Sequence, residues 1–113
     1  MSDYPYTEKD AELARQIAAD GPMLRTLLKL AQHGPGEAWV AHDLARSLRH
    51  VHGITQQCLH GALNERLVVF DDRGESRWWR HLWTMTRRGR AITELAGTLA
   101  AVSQAAQDQL DGR

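Results

Sequence analysis

The chain has 113 residues, of which 42% are apolar and 25% charged, with one cysteine and a formal net charge of zero. Those values suit one globular unit with a real core, and they exclude a fibrous, a wholly disordered or a disulfide-stapled architecture. Basic and acidic side chains cancel in number, yet residues 42–90 hold nine of the basic and five of the acidic ones, so a basic middle lies between two acidic flanks.

The opening MSDYPYTEKDAELARQ is polar and acidic where a signal peptide would be basic and then apolar. No window approaches the roughly 18 apolar residues of a membrane span. The lone Cys58 has no partner for an internal disulfide, so a reducing cytoplasm is the expected setting.

In chain order, Ala11, Ala14, Ile17 and Ala18 give helical spacing from Thr7 to Asp20, with Thr7 and Asp10 placed for a capping box. Gly21 ends that helix, and Pro22 opens a second whose broad stripe is Met23, Leu24, Leu27, Leu28, Leu30 and Ala31. His33-Gly34-Pro35-Gly36 breaks it, and Ala38-Trp39-Val40 reads as one short extended segment. A third helix from Ala41 or His42 buries Leu44, Ala45 and Leu48. The Gly53-containing connector 49–53 then leads to a helix from Gln56 to about Arg66, with Thr55 as its expected N-cap. Two short helices across a tight turn are the helix-turn-helix signature.

Leu67-Val68-Val69-Phe70 reads as a strand, Asp71 to Glu75 as a turn and Arg77 to Met85 as the returning strand of a β-hairpin. Strand alternation sets Trp79 and Trp83 on one side and Trp78 on the other, so Trp78 is the ring expected to be exposed. Thr86 caps a final helix to about Leu110, where Ile92, Leu95, Leu99, Val102 and Ala106 repeat at steps of three and four. A seam that narrow suits a partner helix, and the alternative is that it packs back on the first helix of its own chain. Fraying is expected at residues 1–6 and 111–113.

His50, His52, Cys58 and His60 lie close in sequence, but their spacing matches no standard metal set, and they read as surface histidines beside a buried thiol. No metal or other cofactor is expected. Phosphate-cradling loops, a nucleophile elbow and convincing paired carboxylates are missing from the motif inventory, so the chain is not expected to be an enzyme. Arg87, Arg88 and Arg90 could meet phosphate or could simply be solvated at a helix start.

The order helix, short strand, helix, turn, helix, two-stranded wing, helix resembles the winged helix-turn-helix regulators of the MarR and PadR type, from about Met23 to Leu95. Ala41-His42-Asp43-Leu44-Ala45 is similar to that class's positioning helix, and Met85-Thr86-Arg87-Arg88-Gly89-Arg90 to its "Leu-Thr-x-x-Gly-Arg" closure of the wing. Leu63-Asn64-Glu65-Arg66-Leu67-Val68 is similar to "Leu-x-x-x-Gly-Leu-Val", with Arg66 or Leu67 in place of the glycine.

The resemblance implies a mainly α fold with a small β-hairpin wing. Residues 1–22 would support the core or a dimer, 23–90 would form the winged domain, and 91–113 would form a long C-terminal dimerisation helix. It implies double-stranded DNA and a second copy of the chain as partners, with Gln56, Gln57, His60, Gly61 and Asn64 facing the major groove. Arg73 and Arg77 on the wing would reach the backbone or minor groove, and Arg46, Arg49 and Thr55 would contact phosphate. The implied role is a cytoplasmic, nucleoid-associated homodimeric transcriptional regulator, of repressor type. A small-molecule effector or protein partner stays open. The alternatives are a winged-helix protein-interaction module, suggested by the neutral net charge and the Trp-rich wing, and a segregation or replication DNA-binding protein.

Overall fold

In a computed structural model that describes residues 4–50 and 52–112, the helices are α1 (Glu8–Ala18), α2 (Gly21–Ala31), α3 (Ala41–Leu48), α4 (His52–Asn64) and α5 (Arg87–Asp111). Between them lie β1 (Trp39–Val40), β2 (Val68–Asp71) and β3 (Leu82–Met85). Val51 of the expected connector, and residues 1–3 and 113 of the expected frayed ends, lie outside the described residues. The strands form an antiparallel sheet in the order β1-β3-β2. The short extended segment before α3 therefore pairs with the wing.

Helix boundaries follow capping chemistry. Thr7 Oγ1 accepts the Asp10 N–H (3.1 Å) and Asp10 Oδ2 accepts the Thr7 N–H (3.0 Å), closing the expected capping box. Asp20 caps α2 by accepting the Met23 N–H (3.2 Å), with Pro22 in the first turn. Thr86 caps α5 through the Gly89 N–H (2.9 Å).

The start of α4 differs from the sequence expectation. The helix begins at His52, so Thr55 lies inside it and is fully buried, with a hydroxyl that lacks a partner among the described residues. Thr55, Cys58, Leu59 and Ala62 share the buried face at the three-and-four spacing of an amphipathic helix. Thr55 is thus neither a cap nor available to phosphate.

The returning wing strand is shorter than expected, because Trp78–Arg80 forms a 3-10 turn and β3 begins only at Leu82. A turn has no strand alternation, and the exposed ring is Trp79 while Trp78 packs against the core. Directly opposed residues share a sheet face, so the pairs Trp39↔Trp83 and Phe70↔Trp83 align three rings in one row. Trp83, 1% exposed, is the largest fully buried side chain.

The core joins Ala14 and Ile17 of α1, Leu27 and Leu30 of α2, Leu44 and Leu48 of α3, Leu59 of α4, the sheet, and Ile92 and Ala96 of α5. Ile92 is therefore a core residue of its own chain and not part of a free seam. Leu95 and Leu99 are partly buried against the same core, whereas residues 101–112 are all exposed. The expected seam divides at about Ala100: its first half packs inside the chain and only Val102 and Ala106 remain open.

Candidate nucleic-acid interface

Burying Thr55, Cys58, Leu59 and Ala62 of α4 on one side leaves the apolar Ile54 exposed and, in a line on the other side, Gly53, Gln57, His60 and Asn64. Their spacing of four, three and four lays them in one line along the helix. Gln57, His60 and Asn64 offer amide and imidazole groups, the chemistry that reads base edges. Two neighbours assigned to that face lie on its flanks. Gln56 is half-buried, and Gly61 faces α2, where an added Cβ would stand 3.1 Å from Met23 Cε.

His60 also borders the wing. Its ring meets Trp83 edge-on at 6.2 Å between centroids, and Phe70 lies 4.9 Å from the same indole and stacks on His81 at 5.3 Å. Trp83 therefore ties the position of the wing to the exposed line on α4.

The wing is closed at its root by Thr86 and Gly89. Thr86 Oγ1 donates to the carbonyl of Arg66 (2.8 Å) or Leu67 (3.0 Å), and the Thr86 N–H donates to the Leu67 carbonyl (2.9 Å). At Gly89 a Cβ would fall 1.9 Å from that same Leu67 oxygen, so only glycine lets α5 start so close to the end of α4. That is the physical content of the Thr-x-x-Gly pattern.

The arginines sort into committed and uncommitted groups. Arg77 forms a two-pronged pair with Glu75 (2.8 and 3.0 Å), which holds that carboxyl down at about 2. Arg80 lies 3.8 Å from the same carboxylate. Arg88 pairs with buried Asp10 and donates from Nε to the Glu65 carbonyl at the end of α4 (3.1 Å). The Thr7 N–H, and then Arg88, keep the Asp10 carboxyl below its usual range despite burial. Arg90 donates to the His33 carbonyl (2.8 Å), and Arg87 lies over the Tyr4 ring (5.9 Å). The cluster after Thr86 thus holds the protein together rather than standing free for phosphate.

Four exposed arginines remain whose side chains have no partner among the described residues: Arg46, Arg49, Arg66 and Arg73. They lie at the end of α3, just after the end of α4 and at the wing tip. Arg66 was invisible to motif reading because the pattern expects glycine there. Gly53 reads in the sequence as a connector residue, and its place on the helix comes only from α4 starting at His52.

Two other surface features stand apart. An open hollow of about 410 Å³ is lined by Val40, His42, Trp79 and Arg80. The wing also exposes Val69 (51%), Phe70 (43%) and Trp79 (38%). No helix among the described residues is long and apolar enough to cross a membrane. Burial pushes the Cys58 thiol up, away from a reactive thiolate.

No protein-family model matches the sequence, and no curated protein matches it closely enough to count as a relative. Solved structures do match. A MarR family transcription regulator superposes with a TM-score of 0.63 at 14% identity, over 88% of this chain and 66% of that one. The multiple antibiotic-resistance repressor MarR of Listeria monocytogenes gives 0.60 at 16% identity, over 91% and 69%. A protein of Mycobacterium tuberculosis gives 0.61 at 20% identity, over 88% and 69%. The chain thus spans about two thirds of each of these longer chains, and at such identities the likeness is one of fold. That fold is the winged helix of MarR-type transcription regulators.

Proposed function

We propose that this protein binds double-stranded DNA as a homodimeric transcriptional regulator of repressor type, in the cytoplasm and on the nucleoid, without catalysing a reaction. The observation that carries the reading is the exposed line Gln57, His60 and Asn64 on α4, together with exposed Arg46, Arg49 and Arg73, whose side chains have no partner among the described residues. Phosphate contacts by the arginines would fix register, and the amides and imidazole would read the major groove. The fold shared with MarR-type structures supports the same reading.

The dimer would form through the exposed second half of α5, where Val102 and Leu110 are each 64% exposed and Ala106 lies between them at helical spacing. Two copies would present two recognition helices to half-sites about one helical turn apart. Replacing Gln57, His60 and Asn64 together with alanine tests the reading. Sequence-specific retardation of DNA should be lost while the fold, followed by circular dichroism, is kept. Unchanged specific affinity would refute it.

A second reading rests on exposed Val69, Phe70 and Trp79: a wing that docks a protein. It expects salt-insensitive association with a protein and no retardation of DNA even at low salt.

A further inference from the structure

Among the described residues, the only non-glycine positions with positive φ are Arg49 (57°), Arg66 (60°) and Arg73 (53°). Each is a place where the chain reverses. Arg49 ends α3 and Arg66 ends α4. In both, the following N–H reaches back five residues, His50 to the Ala45 carbonyl (3.2 Å) and Leu67 to the Ala62 carbonyl (2.9 Å). The arginine's own N–H closes the inner bond, to Arg46 (3.2 Å) and to Leu63 (3.0 Å). That is the Schellman ending, whose left-handed residue is ordinarily glycine. Arg73 and Gly74 (73°) are the two central residues of the wing turn closed by Glu75 N–H to the Asp72 carbonyl (2.8 Å), a type I′ pattern that favours Asn-Gly.

An L-residue other than Asn or Asp is strained at such positions, which achiral glycine occupies freely. Arginine makes up 12 of the 113 residues, so its presence at all three by chance is remote. Glycine or asparagine would relieve the strain, and the backbone bonds described above would be unchanged. What those residues cannot supply is a long cationic side chain, and none of the three guanidinium groups has a partner among the described residues.

We infer that Arg49, Arg66 and Arg73 are kept for their side chains, as a frame of three phosphate contacts around the exposed line of α4. The frame rests on the DNA-binding reading and adds Arg66 to it. A left-handed corner serves it well, because hydrogen-bonded reversals fix the point from which each flexible arginine reaches. Neutralising the negative C-terminal end of the helix dipole is the competing role for Arg49 and Arg66, and it makes the opposite forecast for stability.

The experiment uses the full chain and a short fluorescent DNA duplex of mixed sequence, because phosphate contacts persist in non-specific binding. Wild-type binding is measured first across a salt series. Arg66→Gly should raise the melting temperature and flatten the slope of log affinity against log salt by about 0.9, a loss of about fivefold near physiological salt. Arg66→Lys should retain most of the slope. Combining Arg49→Gly, Arg66→Gly and Arg73→Asn should flatten the slope about three times as much and leave a more stable protein. An unchanged slope in Arg66→Gly would overturn the inference. So would a fall in melting temperature with unchanged binding, the mark of a dipole role. Absence of wild-type binding at low salt would overturn the DNA-binding reading itself, and the frame with it.

Discussion

Gly89 and Leu67 meet backbone to backbone, and their contact sets how the wing joins the last helix. A methyl group at Gly89 would lie 1.9 Å from the Leu67 oxygen and 2.9 Å from Met85 Cγ, so Gly89→Ala should cost about 3 kcal/mol in thermal unfolding. Trp83→Ala should cost about 3–5 kcal/mol, since it empties the row shared with Trp39 and Phe70. Asp10 adds a pH dependence. Its folded carboxyl is held below the ordinary value, so its contribution is complete above about pH 4 and is lost as pH falls toward the folded value. Asp10→Asn should therefore lower stability by about 1–2 kcal/mol at neutral pH, and the gap in melting temperature from wild type should narrow below about pH 4. At this scale the sequence was readable where chemistry is local: the Thr7–Asp10 box and Thr86-x-x-Gly89 are written in adjacent residues. It misled at Thr55, whose polarity suggests a cap. Only its register with Cys58, Leu59 and Ala62 marks it as buried.

The elements that were legible are those with a period. The stripe of α2, the narrow face of α3 and the capped start of α5 all follow from spacing and caps. Two boundaries were not legible, because tertiary contacts set them. Gly53 looks like a turn residue, yet α4 runs through it. Trp78 and Trp79 look like strand residues, yet a 3-10 turn takes both and leaves Trp79 outward. Along the wing, pairing separates two arginines that sequence treats alike. Arg77 is neutralised by Glu75 while Arg73 is not, so Arg73→Ala should flatten the salt dependence of DNA affinity by about one unit. Arg77→Ala should change it much less. Equal effects of the two would show that the Glu75 pair opens on DNA.

At the scale of the whole molecule, α5 has two environments along its length. Ile92 and Ala96 complete the core, while residues 101–112 are exposed along their whole run. The periodicity of the sequence could not reveal that division, because a stripe has the same spacing whether it meets its own chain or another. Cutting the chain after Ala100 should leave the melting temperature within a few degrees of the intact protein and convert the proposed dimer to a monomer in sedimentation. An unchanged mass would move the interface elsewhere. The central claim, that the α4 face and its arginines engage duplex DNA, is tested most directly by retardation of sheared DNA from the protein's own source across a salt series, with sequencing of the bound fraction. Affinity that falls steeply with salt, together with enrichment of an inverted repeat, is the predicted result. No retardation even at low salt would contradict the account.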